Sequence, residues 1–262
     1  MSIVVFSSSC YDTGRDIAEK VAEATGFRYV DREILGPVAE IHNLPEEDLV
    51  RALDEPPNLF GLSARRRDKY IALIQQATLE RLLEDNVVCH GLAAHLYVCD
   101  VSHAIMVRIL PGHKNGEDDP APKTGEASEK TGKHLKRQER DRKRICLHVF
   151  DRNEADASIY DMVINLSRMN LDEAIQTIVN ATSFRKFQSM TYSINCLKNK
   201  ELECRVRMKL LDRFPNARVQ ADGNTVNVRI KPNIGDKRKR IEEVKEQAWS
   251  VEGVTNVKVV YG

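Results

Sequence analysis

The stretch "IVVFSSSCYDTGRDIAEKVAEATG", residues 3–26, constrains the fold more than any other part of the chain. Ile3 to Phe6 is a short, unbroken apolar run rich in β-branched residues, the pattern of a parallel strand covered on both faces. A turn of small polar residues leads from it into an amphipathic stretch. There Ile17, Val21 and Ala24 share one face, and Arg15, Asp16, Glu19, Lys20 and Glu23 lie elsewhere. Gly26 stands where a helix ends in a left-handed cap. A buried strand that runs straight into a helix is the opening unit of an α/β sheet.

The same alternation continues. "FRYVDREIL" (27–35) reads as a brief strand entering a helix, "LPEEDLVRAL" (44–53) as a helix with acids in its first turn, and "EPP" as its break. "KYIALIQQATLERLLED" (69–85) predicts a longer helix. "NVVCHGLAAHLY" and "HAIMVRILP" each hold a buried-strand run, and "YDMVINLSRMNLDEAIQTIV" (160–179) adds a strand, then a helix capped by Asn170. These segments predict a parallel sheet flanked by helices. Residues 112–134 are nearly devoid of apolar side chains and predict a mobile excursion.

From about residue 203 the pattern changes to helix, hairpin, helix and strand, with "Asp222-Gly223-Asn224" as the hairpin turn. This predicts a small α+β unit over 203–262, joined to a first domain, 1–180, by a connector at 181–202. Trp249 is expected in the core of the small unit.

Composition narrows the function classes. A net charge of +1 gives no global attraction to nucleic acid or anionic membrane, so no nucleic-acid partner is expected. A basic run at 130–144 is either a solvated face or a binding surface. The six cysteines show no C-x-x-C spacing and no zinc pattern. No segment has the apolar length of a transmembrane span or a signal peptide, so a cytoplasmic location is expected.

The turn after the first strand invites comparison with a phosphate-binding loop, in which backbone N–H groups converge on an anion at a helix's positive end. Laid over G-x-x-x-x-G-K-[ST], the chain reads "Ser9-Cys-Tyr-Asp-Thr-Gly14-Arg15-Asp16". One glycine is kept, and both functional side chains are replaced. Arg15 offers a permanently charged fork for phosphate oxygens, and Asp16 an oxygen ligand for magnesium. The other reading of Arg15 and Asp16 is an ordinary salt-bridged helix start.

"Gly14-Arg15-Asp16-Ile17-Ala18", "Tyr29-Val-Asp31-Arg32-Glu33", "Asp141-Arg142-Lys143-Arg144" and "YDMVIN" together resemble the cytidylate-kinase-like family of nucleoside monophosphate kinases, over roughly residues 2–180. The resemblance implies a P-loop, NMP-kinase-like α/β fold and phosphoryl transfer from ATP, with Mg2+, to a pyrimidine monophosphate such as CMP. It assigns Asp12, Thr13, Gly14, Arg15 and Asp16 to the donor phosphates, with Asp16 toward the metal. It assigns Asp31, Arg32, His90 and Asp141 to the acceptor. Arg142 and Arg144 belong to a closing lid within 112–144, and with Arg15 they make up the catalytic cations.

Three departures leave a second reading open, a nucleotide sensor or scaffold without turnover. Tyr11, Asp12 and Thr13 replace the family's extra glycines. "Cys89-His90-Gly91" stands where an arginine is usual, and the first lid segment is rich in glycine and proline. The C-terminal unit, through "Ala248-Trp249" and "SVEGVTNVKVV", is similar to a BON domain, which implies ligand contact or self-association.

Overall fold

The computed structural model describes residues 2–55, 61–110, 140, 143–147, 150, 152–232 and 237–262. The central strand is β1 (Ile3–Ser8), buried along its whole length. It pairs in parallel with β3 (Val87–His90) on one side and β4 (Ala104–Leu110) on the other. With β2 (Arg28–Val30) beside β3 and β5 (Met162–Asn165) beside β4, the order is β2-β3-β1-β4-β5, parallel throughout. The α/β expectation holds, and the continuous apolar runs are the strands covered on both faces.

Two-residue periodicity splits β1 between two cores. Val4 and Phe6 pack against Ile17 and Val21 of α1 (Tyr11–Thr25) and against Ala174 and Ile178 of α6 (Leu171–Thr182). Ile3 and Val5 face the opposite layer, built from α2 (Leu35–His42), α3 (Glu46–Asp54), α4 (Ala64–Leu82) and the short α5 (Ala94–Tyr97). Gly26 caps α1 at φ +68°, as expected. Asn170 and Glu173 form a reciprocal capping box at the start of α6. The long helix expected from residue 69 begins at Ala64, where the Ser63 hydroxyl accepts from the Arg66 N–H.

A single helix, α7 (Thr191–Leu210), occupies much of the segment read as an unpatterned connector. Its apolar residues serve two cores. Leu197 and Cys204 face the main body, where the Cys204 thiol donates to the Ala72 carbonyl at 3.3 Å. Leu202, Val206 and Leu210 face the C-terminal unit. Apolar positions on both sides leave no single stripe, which is why the helical period was hidden.

The second sheet comprises β6 (Arg218–Asp222), β7 (Thr225–Ile230) and β8 (Asn256–Tyr261), with β6 antiparallel and β8 parallel to β7. Gly223, at φ +55°, turns the hairpin. In α8 (Lys237–Trp249), Val244 and Ala248 fill the small core, while Trp249 is 52% exposed. The expectation of a core tryptophan is thus corrected: one helical step carries Trp249 about 100° away from the face that Ala248 presents. The excursion at 112–134 lies outside the described residues. Among the described residues, no helix is long and apolar enough to cross a membrane.

Candidate functional site

Only Ser9 and Cys10 separate β1 from α1. The Ser8 hydroxyl fastens this bend, donating to the Cys10 carbonyl at 2.7 Å and accepting from the Cys10 N–H at 3.3 Å. Tyr11, Asp12 and Thr13, expected in a wrapping loop, form the helix's first turn. No glycine precedes Gly14 to support the tight wrap, so the backbone enters the helix at once. Gly14 is buried for a packing reason: a Cβ there would meet His90 Nε2 at 2.5 Å and Ser8 Cβ at 2.6 Å. Asp12 and Asp16 are exposed. Arg15 points outward, 3.6 Å from Glu19, with each side chain 46% exposed.

A second group gathers above the carboxyl ends of β1, β2 and β3. The Tyr11 ring lies 4.9 Å from the His90 ring, and the Arg32 guanidinium stacks over it at 4.4 Å. Tyr11 and Tyr29 both donate to Asp31 Oδ2, at 3.4 and 3.3 Å, while Asp31 Oδ1 accepts from the Glu33 N–H. Burial and the Asp31 carboxylate push the Tyr11 phenol up to about 12, and Tyr29 is raised by the same two causes. Arg32 donates to the Gly91 carbonyl at 3.2 Å and grips Asp54 with both Nη atoms at 2.7 and 2.6 Å. Gly91, at φ +76°, is required here, since a Cβ would fall 2.5 Å from the Tyr11 ring.

The structure therefore joins Asp31, Arg32 and His90 through Tyr11, and it leaves Arg15 and Asp16 on the outer side of α1. Arg144 is exposed within the helical residues 143–147. Asp141 and Arg142 lie outside the described residues.

A buried polar network beside this group was missed by the sequence reading. Arg108 of β4, only 5% exposed, donates to Ser7 Oγ at 2.8 Å and lies 3.2 Å from Glu154 Oε1. The same Oε1 accepts from Ser7 at 2.6 Å and is 3.3 Å from His95 Nε2. Tyr160 donates to the Glu154 carbonyl, and Cys146 to Oε2. One signal was present: an arginine inside the apolar run "HAIMVRILP" must find an acceptor once the strand is buried. Glu154 carried none, being an ordinary polar residue in loop-like sequence.

Between these groups is a cavity of about 180 Å³ lined by Ser9, Tyr11, Arg32, His90, His95 and Cys146, among others. It opens where α1 leaves β1 toward one face of the sheet and α5 leaves β3 toward the other. In open α/β sheets this divergence of adjacent connections creates the ligand crevice. The cavity is smaller than the roughly 300–1,000 Å³ of a typical small-molecule site. Among the described residues no group of three His, Cys, Asp or Glu side chains could hold a metal ion.

A family model described as "Cytidylate kinase-like family" matches residues 3–168. Among solved structures, an uncharacterized protein from Eubacterium ventriosum ATCC 27560 is similar at 18% identity and a TM-score of 0.45, over 69% of this chain and 97% of that one. No curated protein matches.

Proposed function

Because the chain belongs to the cytidylate kinase-like family, we propose that its crevice binds a pyrimidine nucleoside monophosphate such as CMP, and that the protein works as a nucleotide-binding relative of the kinases. The observation that carries this reading is the cavity at the diverging ends of β1 and β3, bordered by Arg32 and His90. Asp31 acts there as a positioning group, orienting Tyr11 and Tyr29.

ATP and Mg2+ are the usual partners of such a fold, but the first turn as folded does not fit a triphosphate. A Cβ at Gly14 would meet His90 and Ser8, so the start of α1 is packed directly against them rather than looped away. Tyr11 occupies the position of the missing glycines, and Arg15 is directed at Glu19.

A second reading, ATP-dependent phosphoryl transfer, is favoured by one observation: Arg15, Asp16 and Arg144 are exposed and could be recruited by a substrate. In that reading Asp12, Thr13 and Gly14 would border the donor, Asp16 would hold Mg2+, and Asp141 and Arg142 would close over the acceptor. The C-terminal unit is read in either case as a BON-like module for ligand contact or self-association.

Calorimetric titration with CMP, UMP and ATP–Mg2+, run beside a phosphate-transfer assay on wild type and Arg15→Ala, separates the readings. Monophosphate binding without transfer, unchanged in Arg15→Ala, is the expected result. Transfer abolished by Arg15→Ala would establish the second reading, and binding of no nucleotide would overturn both.

A further inference from the structure

Two imidazoles line the crevice, His90 at the end of β3 and His95 on α5, and both are buried. Their electrical surroundings differ. His90 Nε2 faces the first turn of α1, since a Cβ on Gly14 would lie 2.5 Å from it. The positive end of a helix disfavours an imidazolium. The Arg32 guanidinium, stacked on the same Tyr11 ring that His90 packs against, brings a second positive charge close by. His95 Nε2 instead lies 3.3 Å from Glu154 Oε1. A carboxylate at that distance favours a protonated ring, whereas burial and the Arg108 charge on the same carboxylate oppose it.

The positive charge at the cavity wall is already matched. Arg32, the arginine that lines it among the described residues, closes its fork on Asp54. Arg108 is held by Glu154 and Ser7. The remaining groups around His95 are Tyr160, stacked at 5.8 Å, the Cys146 thiol, which donates to Glu154 Oε2, and Tyr11, whose phenol donates to Asp31. From α4, which packs on α5, comes the buried Arg67, whose charge Glu55 and Asp68 favour. An anion entering so balanced a cavity loses hydration without meeting a new counter-charge. A proton on His95 supplies one, and Glu154 and the ligand then share the resulting imidazolium.

We infer that anion capture in this crevice is coupled to proton uptake by His95. The ligand class, the phosphate of a nucleoside monophosphate, rests on the nucleotide reading of the cavity. The terminal phosphate of a triphosphate has the same chemistry, and the test separates the two.

Calorimetry on the full chain in buffers of different ionisation heat counts the protons taken up with sulfate, CMP, ATP and cytidine. Sulfate is the decisive probe: it remains a dianion near neutral pH, whereas a phosphate monoester, with a second pKa of about 6, can carry the proton itself. Wild type should take up about one proton per sulfate, and its affinity should fall about tenfold from pH 7.5 to 8.5. Cytidine should bring no proton. His95→Gln should abolish the uptake with sulfate and flatten the pH dependence, and His90→Gln should keep the uptake. No uptake by wild type, uptake surviving in His95→Gln, or uptake lost in His90→Gln would overturn the inference. Should His95→Gln fail to fold, uptake retained by both wild type and His90→Gln supports it. Proton-linked sulfate binding without binding of either nucleotide would end the nucleotide reading and leave the coupling standing. CMP bound equally well at pH 7.5 and 8.5 would do the reverse. Proton-linked binding of ATP but not CMP would overturn the monophosphate as the ligand, and no anion bound at all would end both.

Discussion

Replacing Gly14 with alanine separates two reasons for a glycine at the start of α1. If the glycine serves an open phosphate loop, the added methyl group should leave the ligand-free protein unharmed. The structure gives a different reason, since the new Cβ would lie 2.5 Å from His90 Nε2 and 2.6 Å from Ser8 Cβ. Neither neighbour can yield easily: His90 is 2% exposed, and Ser8 is 1% exposed and hydrogen-bonded to the Cys10 backbone. Overpacking of this kind costs about 1–3 kcal/mol, and two rigid contacts put it near the upper end. Alanine recovers about 1 kcal/mol of helix propensity. The net loss is about 2 kcal/mol, or a Tm lowered by roughly 4–8 °C for a domain of this size. Differential scanning calorimetry without nucleotide reads this directly. An unchanged or raised Tm would refute the packing argument and restore the loop reading. Gly36→Ala is the control, because the nearest atom to its Cβ is Glu46 Oε2 at 3.4 Å, a flexible side-chain end.

Glu154→Gln should destabilise the protein by about 3–5 kcal/mol in urea unfolding, because it removes the carboxylate beside the buried Arg108; a loss below about 1 kcal/mol would contradict that role. Thiol labelling of the native protein at pH 8 should reach Cys10, Cys99 and Cys196 and spare Cys89, Cys146 and Cys204 until denaturant is added. Burial pushes the Cys204 thiol up to about 12, so native modification there would disprove the assigned packing against Ala72. Tyr11 and Tyr160 are each raised to about 12 from an ordinary 10, in both cases chiefly by burial. The unfolded phenols ionise first, so the stability these groups contribute is intact below about pH 10 and is lost as pH rises toward 12. Equal unfolding free energies at pH 9 and pH 11 would refute this.

How much was legible depended on whether the signal was local. Ile3 to Phe6, the helix stripe at Ile17 and Val21, the Asn170 cap and the Gly223 turn each announce themselves within a few residues, and each is found in place. The helix across 191–210 was not legible, because its two apolar faces serve different cores and cancel each other's periodicity. At the site, Asp31, Arg32 and His90 were singled out and do converge, but Tyr11, which binds them together, was read only as a substitution for glycine. Arg108 could have been flagged as a charge in an apolar strand; Glu154, its partner, is distant in sequence and had no such mark.

The amino-acid sequence alone determined the layered α/β body and the small second sheet, because apolar period, caps and turn residues act over one or two turns of chain. Only the tertiary structure decided that Gly14 is closed by His90, that Arg32 is occupied by Asp54, and that Arg108 meets Glu154. Each of these outcomes depends on which distant side chains meet at the carboxyl edge of the sheet. A charge's role follows from the partner it finds there, and no local pattern encodes that partner.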